Sequence, residues 1–289
     1  MKKLSDARRA AIVRCLIEGN SIRASCRLTG AAKASVLKLL VELGELCSIY
    51  QDHILRHLNT KRVEANEIWA FVGDKAKDGH NDIWTYTALD ADSKLIISWF
   101  VGPRNSASTQ QFMADVDGRL GNHAQLSSDN LARYTSVIEN AFSWNGMAFA
   151  HIIKTYGIPM DETVHERRYS SAVCTCAVKA AIKGDPNTEM VSTSCIERPN
   201  LAMREGVRRF TRLTNGLSKK AENHAHAVGL FFMHYNFCRA HTTLTNAAKG
   251  IKTTPAMATG LTDHIWTIEE ILAKMGRIIF YTEIDPPPY

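Results

Sequence analysis

No apolar run in this chain of 289 residues approaches the ~18 needed to cross a bilayer, so no transmembrane helix is expected. The opening Met1-Lys2-Lys3-Leu4 is basic like the front of a secretion signal, but Asp6, Arg8 and Arg9 interrupt before an apolar segment can form. There is no C-x-x-C. The seven cysteines (15, 26, 47, 174, 176, 195 and 238) are odd in number and scattered, which argues against a disulfide framework. Reduced thiols in a cytosolic protein are the expectation. A standard zinc spacing is also missing: His234, Cys238 and His241 share a helical face near His224 and His226, but they match no zinc module. No internal repeat is visible. What remains is a composition ordinary for a globular protein, in a chain long enough for two domains.

Charge is unevenly placed. Residues 1–62 carry twelve Lys/Arg against five acids, a net +7 that exceeds the whole chain's +6, so the rest carries about −1. A basic head on a neutral body suggests a nucleic-acid-binding module joined to something else. A helix is expected over 5–18, with Ser5 as cap and Gly19-Asn20 as stop. Ser21 caps a second helix, 22–28, Thr29-Gly30 turns, and a third helix runs from about 32 to 43. Apolar or small residues at Ile22, Cys26, Val36 and Leu39 have helix-turn-helix spacing, which turns Lys33, Ser35 and Lys38 outward to meet phosphates or base edges. A plain three-helix bundle with a solvated basic face would look the same.

The expected division is a helix-turn-helix domain over 1–48, a helical linker over 49–61 and a second domain over 62–289. The second domain begins with a change of period. Strands are expected over 62–73, 83–89 and 95–101 as an antiparallel meander. A helix follows over 108–120, then a short strand, 124–128, ending at Asp129, a helix over 131–142 and a strand near 149–153. This order describes an α/β fold: a ribonuclease-H-like mixed sheet with flanking helices, preceded by the all-α head. The segment 157–190 breaks the rhythm and reads as an insertion holding one possible strand, 172–181. From about 205 the chain reads as helical, and Arg198, Arg204, Arg208, Arg209, Arg212, Lys219 and Lys220 face only Glu205 among the acids of 198–220. Such a stripe suits a phosphodiester backbone, where contacts position without reading sequence.

Transferring a phosphodiester without a covalent intermediate favours two divalent ions ~3.5–4 Å apart. Hard ions need carboxylates held on separate rigid elements. Asp129 ends a strand, and Glu197 opens a helix behind the hydroxyl-rich turn Ser192-Thr193-Ser194. Arg204 lies two helical turns beyond Glu197 on the same face. Where a third acid should stand, in the middle of the first strand, there is Asn66. Two plainer roles compete: Asp129 could be an N-cap, and Ser194-x-x-Glu197 fits a capping box.

Several segments resemble one family in order along the chain. They are Glu64-Ala-Asn-Glu-Ile-Trp-Ala-Phe71, Ser127-Ser-Asp-Asn130, Ser192-Thr-Ser-Cys-Ile-Glu-Arg-Pro-Asn-Leu201, Arg208-Arg-Phe-Thr-Arg-Leu-Thr-Asn215, Tyr235-Asn-Phe-Cys-Arg-Ala-His241 and Thr254-Pro-Ala-Met257. Together they are similar to bacterial insertion-sequence transposases of the "insertion sequence one" type, within the DDE superfamily. The resemblance implies a catalytic and metal-binding triad at 66, 129 and 197, served by Mg2+ or Mn2+, with Arg204 as the basic residue after the glutamate. It also implies double-stranded DNA partners (terminal inverted repeats and target DNA), 3′-end cleavage and strand transfer, a homodimer or higher oligomer, and a bacterial, nucleoid-associated protein. The family has aspartate where this chain has Asn66. A neutral amide removes a full charge from the metal site, and Glu67 points to the other face of the strand. The expectation is a transposase that binds DNA ends and cleaves poorly; the alternative is a non-catalytic DNA-binding regulator derived from one.

Overall fold

The computed structural model describes residues 4–73, 81–129, 132–141, 148–157, 173–210 and 216–284. The chain opens with α1 (Asp6–Ile17), α2 (Ile22–Thr29) and α3 (Lys33–Ile54). The Ser21 hydroxyl accepts the Ala24 N–H at 3.1 Å, and Gly30 closes α2 in the left-handed region at φ 62°. Arg8 of α1 donates to the carbonyls of Thr29 and Gly30, so it satisfies the end of α2 from outside.

The third helix and the connector expected after it are largely one element. α3 crosses positions 43–49 without a break and ends at Ile54, so 55–61 are not helical as expected. The reason is packing: Leu46, Cys47 and Gln51 extend the buried face begun by Leu39, Leu40 and Leu43. Gly44 does not break the helix because it is where a later helix, α7 (Ala221–Phe237), crosses closely.

Six strands form one mixed sheet: β1 (Arg62–Phe71), β2 (Asp82–Asp90), β3 (Ile96–Gly102), β4 (Gln125–Asp129), β5 (Ala148–Gly157) and β6 (Val173–Lys183). Their order is β3-β2-β1-β4-β5-β6. β1, β2 and β3 are an antiparallel meander, β4 and β5 continue in parallel from β1, and β6 returns antiparallel to β5. This is consistent with the ribonuclease-H-like layer expected from the sequence. Within the segment 157–190, the strand expected over 172–181 is present as β6 and joins the main sheet as an edge. Its outward residues, including Val178, are exposed, so there is no buried alternation to read.

Alternate residues face opposite layers. Val63, Ala65, Leu126 and Phe149 pack with Phe112 and Val116 of α4 (Ser106–Arg119) and Tyr134 of α5 (Ala132–Ala141). Ile68, Ala70, Ile83 and Ile96 pack instead with Ile196 and Met203 of α6 (Ser194–Gly206) and Phe231 and Phe232 of α7. The chain is not continuously helical after 205. A single 3-10 turn spans Arg208–Phe210, and α7 starts only at Ala221. α8 (Thr242–Ala247), α9 (Pro255–Ala258) and α10 (Ile268–Ile284) complete the helical layer, and residues 285–289 lie outside the described residues.

A side-chain amide seals part of the sheet margin. Asn236 of α7 accepts the Ile96 N–H at 3.0 Å and donates to the Ile96 carbonyl at 3.0 Å, as a neighbouring strand would. Gln51 of α3 buttresses it: its Oε1 accepts from Asn236, and its Nε2 donates to the Cys47 and Gly229 carbonyls.

The α3–α7 crossing sets a test. Gly44→Ala gains about 1 kcal/mol of helix propensity. Its new methyl, however, would sit 2.3 Å from the His226 carbonyl oxygen, which is backbone and cannot rotate away. Overpacking should win, with a net loss of about 1–3 kcal/mol. This is read as a lower urea midpoint at unchanged slope, and a raised midpoint would remove the crossing as a constraint.

Candidate active site

The site is built on Glu64, a residue that sequence reasoning passed over. Glu64 is 2 % exposed in β1, and its Oε2 accepts the backbone N–H groups of Cys195 (2.8 Å) and Ile196 (2.9 Å). These are first-turn donors of α6 that have no partner within the helix, and a carboxylate suits the positive end of the helix dipole. The expected capping box is therefore not what starts α6. Thr193 is the N-cap and makes no side-chain cap bond, and the Ser194 hydroxyl pairs with Ser192 at 2.8 Å. Glu197 is left to face the sheet.

There it meets Lys154. The Lys154 ammonium on β5 bridges Glu197 Oε1 and Asp129 Oδ1, the latter at 3.2 Å. Thr193 adds its hydroxyl to the same Asp129 oxygen at 3.0 Å. Burial pulls the Lys154 pKa down, but the hydrogen bond it donates to Glu197 and the charge of Asp129 outweigh it and hold it above the ordinary 10.5. The ammonium is thus charged at neutral pH. Asn66 stands one residue past the last β1–β4 pair, level with Asp129 and on the Glu64 face of β1. Its Oδ1 accepts the N–H of Glu67 at 2.7 Å. The structure therefore gathers positions 66, 129 and 197 on one face of the sheet, with a lysine between the two acids.

Glu67 lies on the opposite face, as expected. It pairs with Arg104 at 2.8 Å and sits beside Tyr134, whose pKa is raised by burial and by the Glu67 charge. Among the described residues, no group of three or more His, Cys, Asp or Glu is placed to hold a metal ion. An amide, two carboxylates and an ammonium lodged between them do not fit a two-ion centre. An entering divalent ion would have to expel Lys154 and would still lack the third carboxylate.

The basic residues divide by position. Arg198 and Arg204 are exposed along α6, with Arg204 in its last turn, about 10 Å further along the axis than Glu197. Arg208 is half-buried. Arg209 turns inward, donating to the Ser218 hydroxyl at 2.7 Å, and burial lowers its pKa to about 10. Lys219 and Lys220 are exposed before α7, whereas Arg212 lies outside the described residues. Lys33 and Lys38 are exposed and Ser35 half-buried at the front of α3. Lys154, Thr193 and Glu64 were missed. Glu64 had a signal in the sequence, since it shares a strand face with Asn66 two residues on.

No family model and no curated protein matches the chain. Among solved structures it is similar to the crystal structure of the Mos1 strand transfer complex, at 13 % identity over 48 % of this chain and 55 % of that one, with a TM-score of 0.21. It is also similar to the Mos1 transposase paired-end complex with left transposon end, at 12 % identity over 51 % and 58 %, with a TM-score of 0.23. The chain spans little more than half of those structures, and similarity at this level carries no argument for fold or activity.

Two substitutions test the geometry. Glu64→Ala strips two N–H groups of a charged acceptor and should cost about 2 kcal/mol, seen as a lower denaturation midpoint. Lys154→Met leaves Asp129 and Glu197 facing each other without a cation. It should create saturable Mn2+ binding, with Kd on the order of 1 mM, where the parent shows none by calorimetry. Equal Mn2+ binding by both proteins would show that the ammonium does not guard the acids.

Proposed function

We propose that the chain is a DNA transposase of the DDE type whose catalysis is impaired in this sequence. In this reading the first three helices recognise the terminal inverted repeats of its element, through Lys33, Ser35 and Lys38. The cations Arg198, Arg204, Arg208, Lys219 and Lys220 line the path of the duplex. Asp129 and Glu197 are the surviving acids of a centre for 3′-end cleavage and strand transfer, and position 66 is the lost one. One observation carries this: two acids 68 positions apart share a single cation on the sheet face that also presents Asn66. The order of the six strands and the sequence motifs support it further. Family members use Mg2+ or Mn2+, but the present residue set does not fit that centre, and no metal-borne step is assigned to this chain.

Lys154 favours a second reading, a DNA-binding regulator derived from a transposase. An acid pair neutralised by the protein's own side chain has no need of a metal to stay folded. A cleavage assay on duplex carrying the element's ends, with Mg2+ or Mn2+, separates the two. The expected outcome is binding with little nicking by the parent chain and a gain of about tenfold or more in nicking by Asn66→Asp. Restoring the third carboxylate adds the charge that lets a divalent ion compete with Lys154. If the revertant binds and never nicks, the regulator stands.

A further inference from the structure

His151 of β5 is a buried polar side chain with no place in the acid pair. It is 1 % exposed and points to the α5 side of the sheet, away from Lys154. The surroundings there are apolar: Phe149 meets its ring edge-to-face at 4.6 Å, and Leu126, Val137 and Ile138 lie in the cluster on that side. A polar ring is costly in such a place unless its nitrogens find partners, and both do. Nδ1 lies 2.9 Å from the Ser128 hydroxyl of β4, and Nε2 lies 2.7 Å from the Thr135 hydroxyl of α5.

The direction of these bonds follows from counting protons. A serine hydroxyl has a single proton to give. That of Ser128 goes to the Asp129 carbonyl, 3.2 Å away, so its oxygen accepts from Nδ1. Burial is the largest influence on His151 and lowers its pKa, against the opposing effects of the Ser128 backbone and the Asp129 charge. The ring is therefore neutral at pH 7 and carries a single N–H. With that N–H on Nδ1, Nε2 is bare and accepts the Thr135 proton. The bonds run one way: Thr135 to His151, His151 to Ser128, Ser128 to the backbone of Asp129. They reach β4 where the sheet gives out. The last β1–β4 pair is Ala65 with Ser128, so Asp129 has a strand neighbour only on the β5 side.

We propose that His151 is a positioning residue for Asp129. Held as the neutral Nδ1–H tautomer, it anchors the Asp129 backbone to α5 from behind the sheet, while the Asp129 side chain meets Lys154 in front. The anchor stands on its own geometry; that the anchored acid belongs to a cleavage centre rests on the function proposed above. An apolar side chain at 151 would fill the same space but leave the Ser128 oxygen without its donor and the Thr135 hydroxyl without its acceptor.

Long-range nitrogen–proton correlation spectra of the full-length chain at pH 7 read the tautomer directly. A protonated Nδ1 and a bare Nε2 are expected, and the reverse tautomer or an imidazolium overturns the proposal. Two substitutions then separate positioning from packing. In His151→Asn the side-chain amide takes the place of Nδ1 and can still donate to Ser128. In His151→Gln the amide reaches Thr135 and leaves Ser128 without a donor. The Lys154 ammonium, 3.2 Å from Asp129 Oδ1, reports where the acid stands through its own nitrogen signal. His151→Gln should move that signal and His151→Asn should leave it near the parent position. Ser128→Ala cuts the chain one link later and should move it as His151→Gln does. A signal that both variants at 151 move alike, or that neither moves, overturns the proposal. Where a variant at 151 does not fold, Ser128→Ala and the parent tautomer decide. In the Asn66→Asp revertant, His151→Gln should also lower nicking about tenfold, with His151→Asn closer to the parent. A revertant that never nicks ends the transposase reading and leaves the spectra to decide this one.

Discussion

The arrangement depends on one buried carboxylate. Glu64 has been taken out of water, at a cost that is offset only by strong partners, and it finds them in the backbone of α6. A strand in the middle of the sheet is thereby bonded to the start of a helix more than a hundred residues later. Because Glu64 and Asn66 share a strand face, the strand that presents position 66 also fixes the helix that presents Glu197. Ile196 and Ile68 also share one apolar cluster, which reinforces that placement.

Electrostatics explains why the remaining acids can coexist. Asp129 and Glu197 approach the same point near the positive end of α6, and a lysine from β5 joins them. An acid at 66 would add a third negative charge beside a single ammonium, whereas an amide adds none. Asn66 and Lys154 are therefore compatible in charge, and each makes the other easier to accommodate. An ammonium is a hydrogen-bonding point charge and not a Lewis acid that orders oxygen ligands, so the balance here is one of charge alone.

Much of the fold was legible because its elements carry clear punctuation. Ser21 and Gly30 bracket α2, Asn105 caps α4, and the period-2 strands β1 to β3 were placed to within a residue or two. Two features were hidden for physical reasons. α3 continues through Gly44 because α7 packs against that glycine, a tertiary fact that local propensity does not contain. β6 is an exposed edge, with no buried face to impose a pattern. The acid positions were legible as residues at element ends, but their environment was not. Lys154 is an ordinary strand lysine until the sheet sets β5 beside β4, and Ser194-x-x-Glu197 has the letters of a capping box although a distant glutamate does the capping.

The unbroken α3 has a mechanical consequence. Its front end displays Lys33 and Lys38, its rear half is wedged against α7, and α1 is pinned to the body by the Gly19 N–H on the Gly206 carbonyl and by Arg14 on Glu269. There is no hinge between the basic tip and the sheet, so one cannot swivel on the other without melting helical turns. Under the proposed function, a duplex held at that tip would meet a rigid bracket, and any bending needed to bring it over the acid pair would fall to the DNA, whose stiffness varies with sequence.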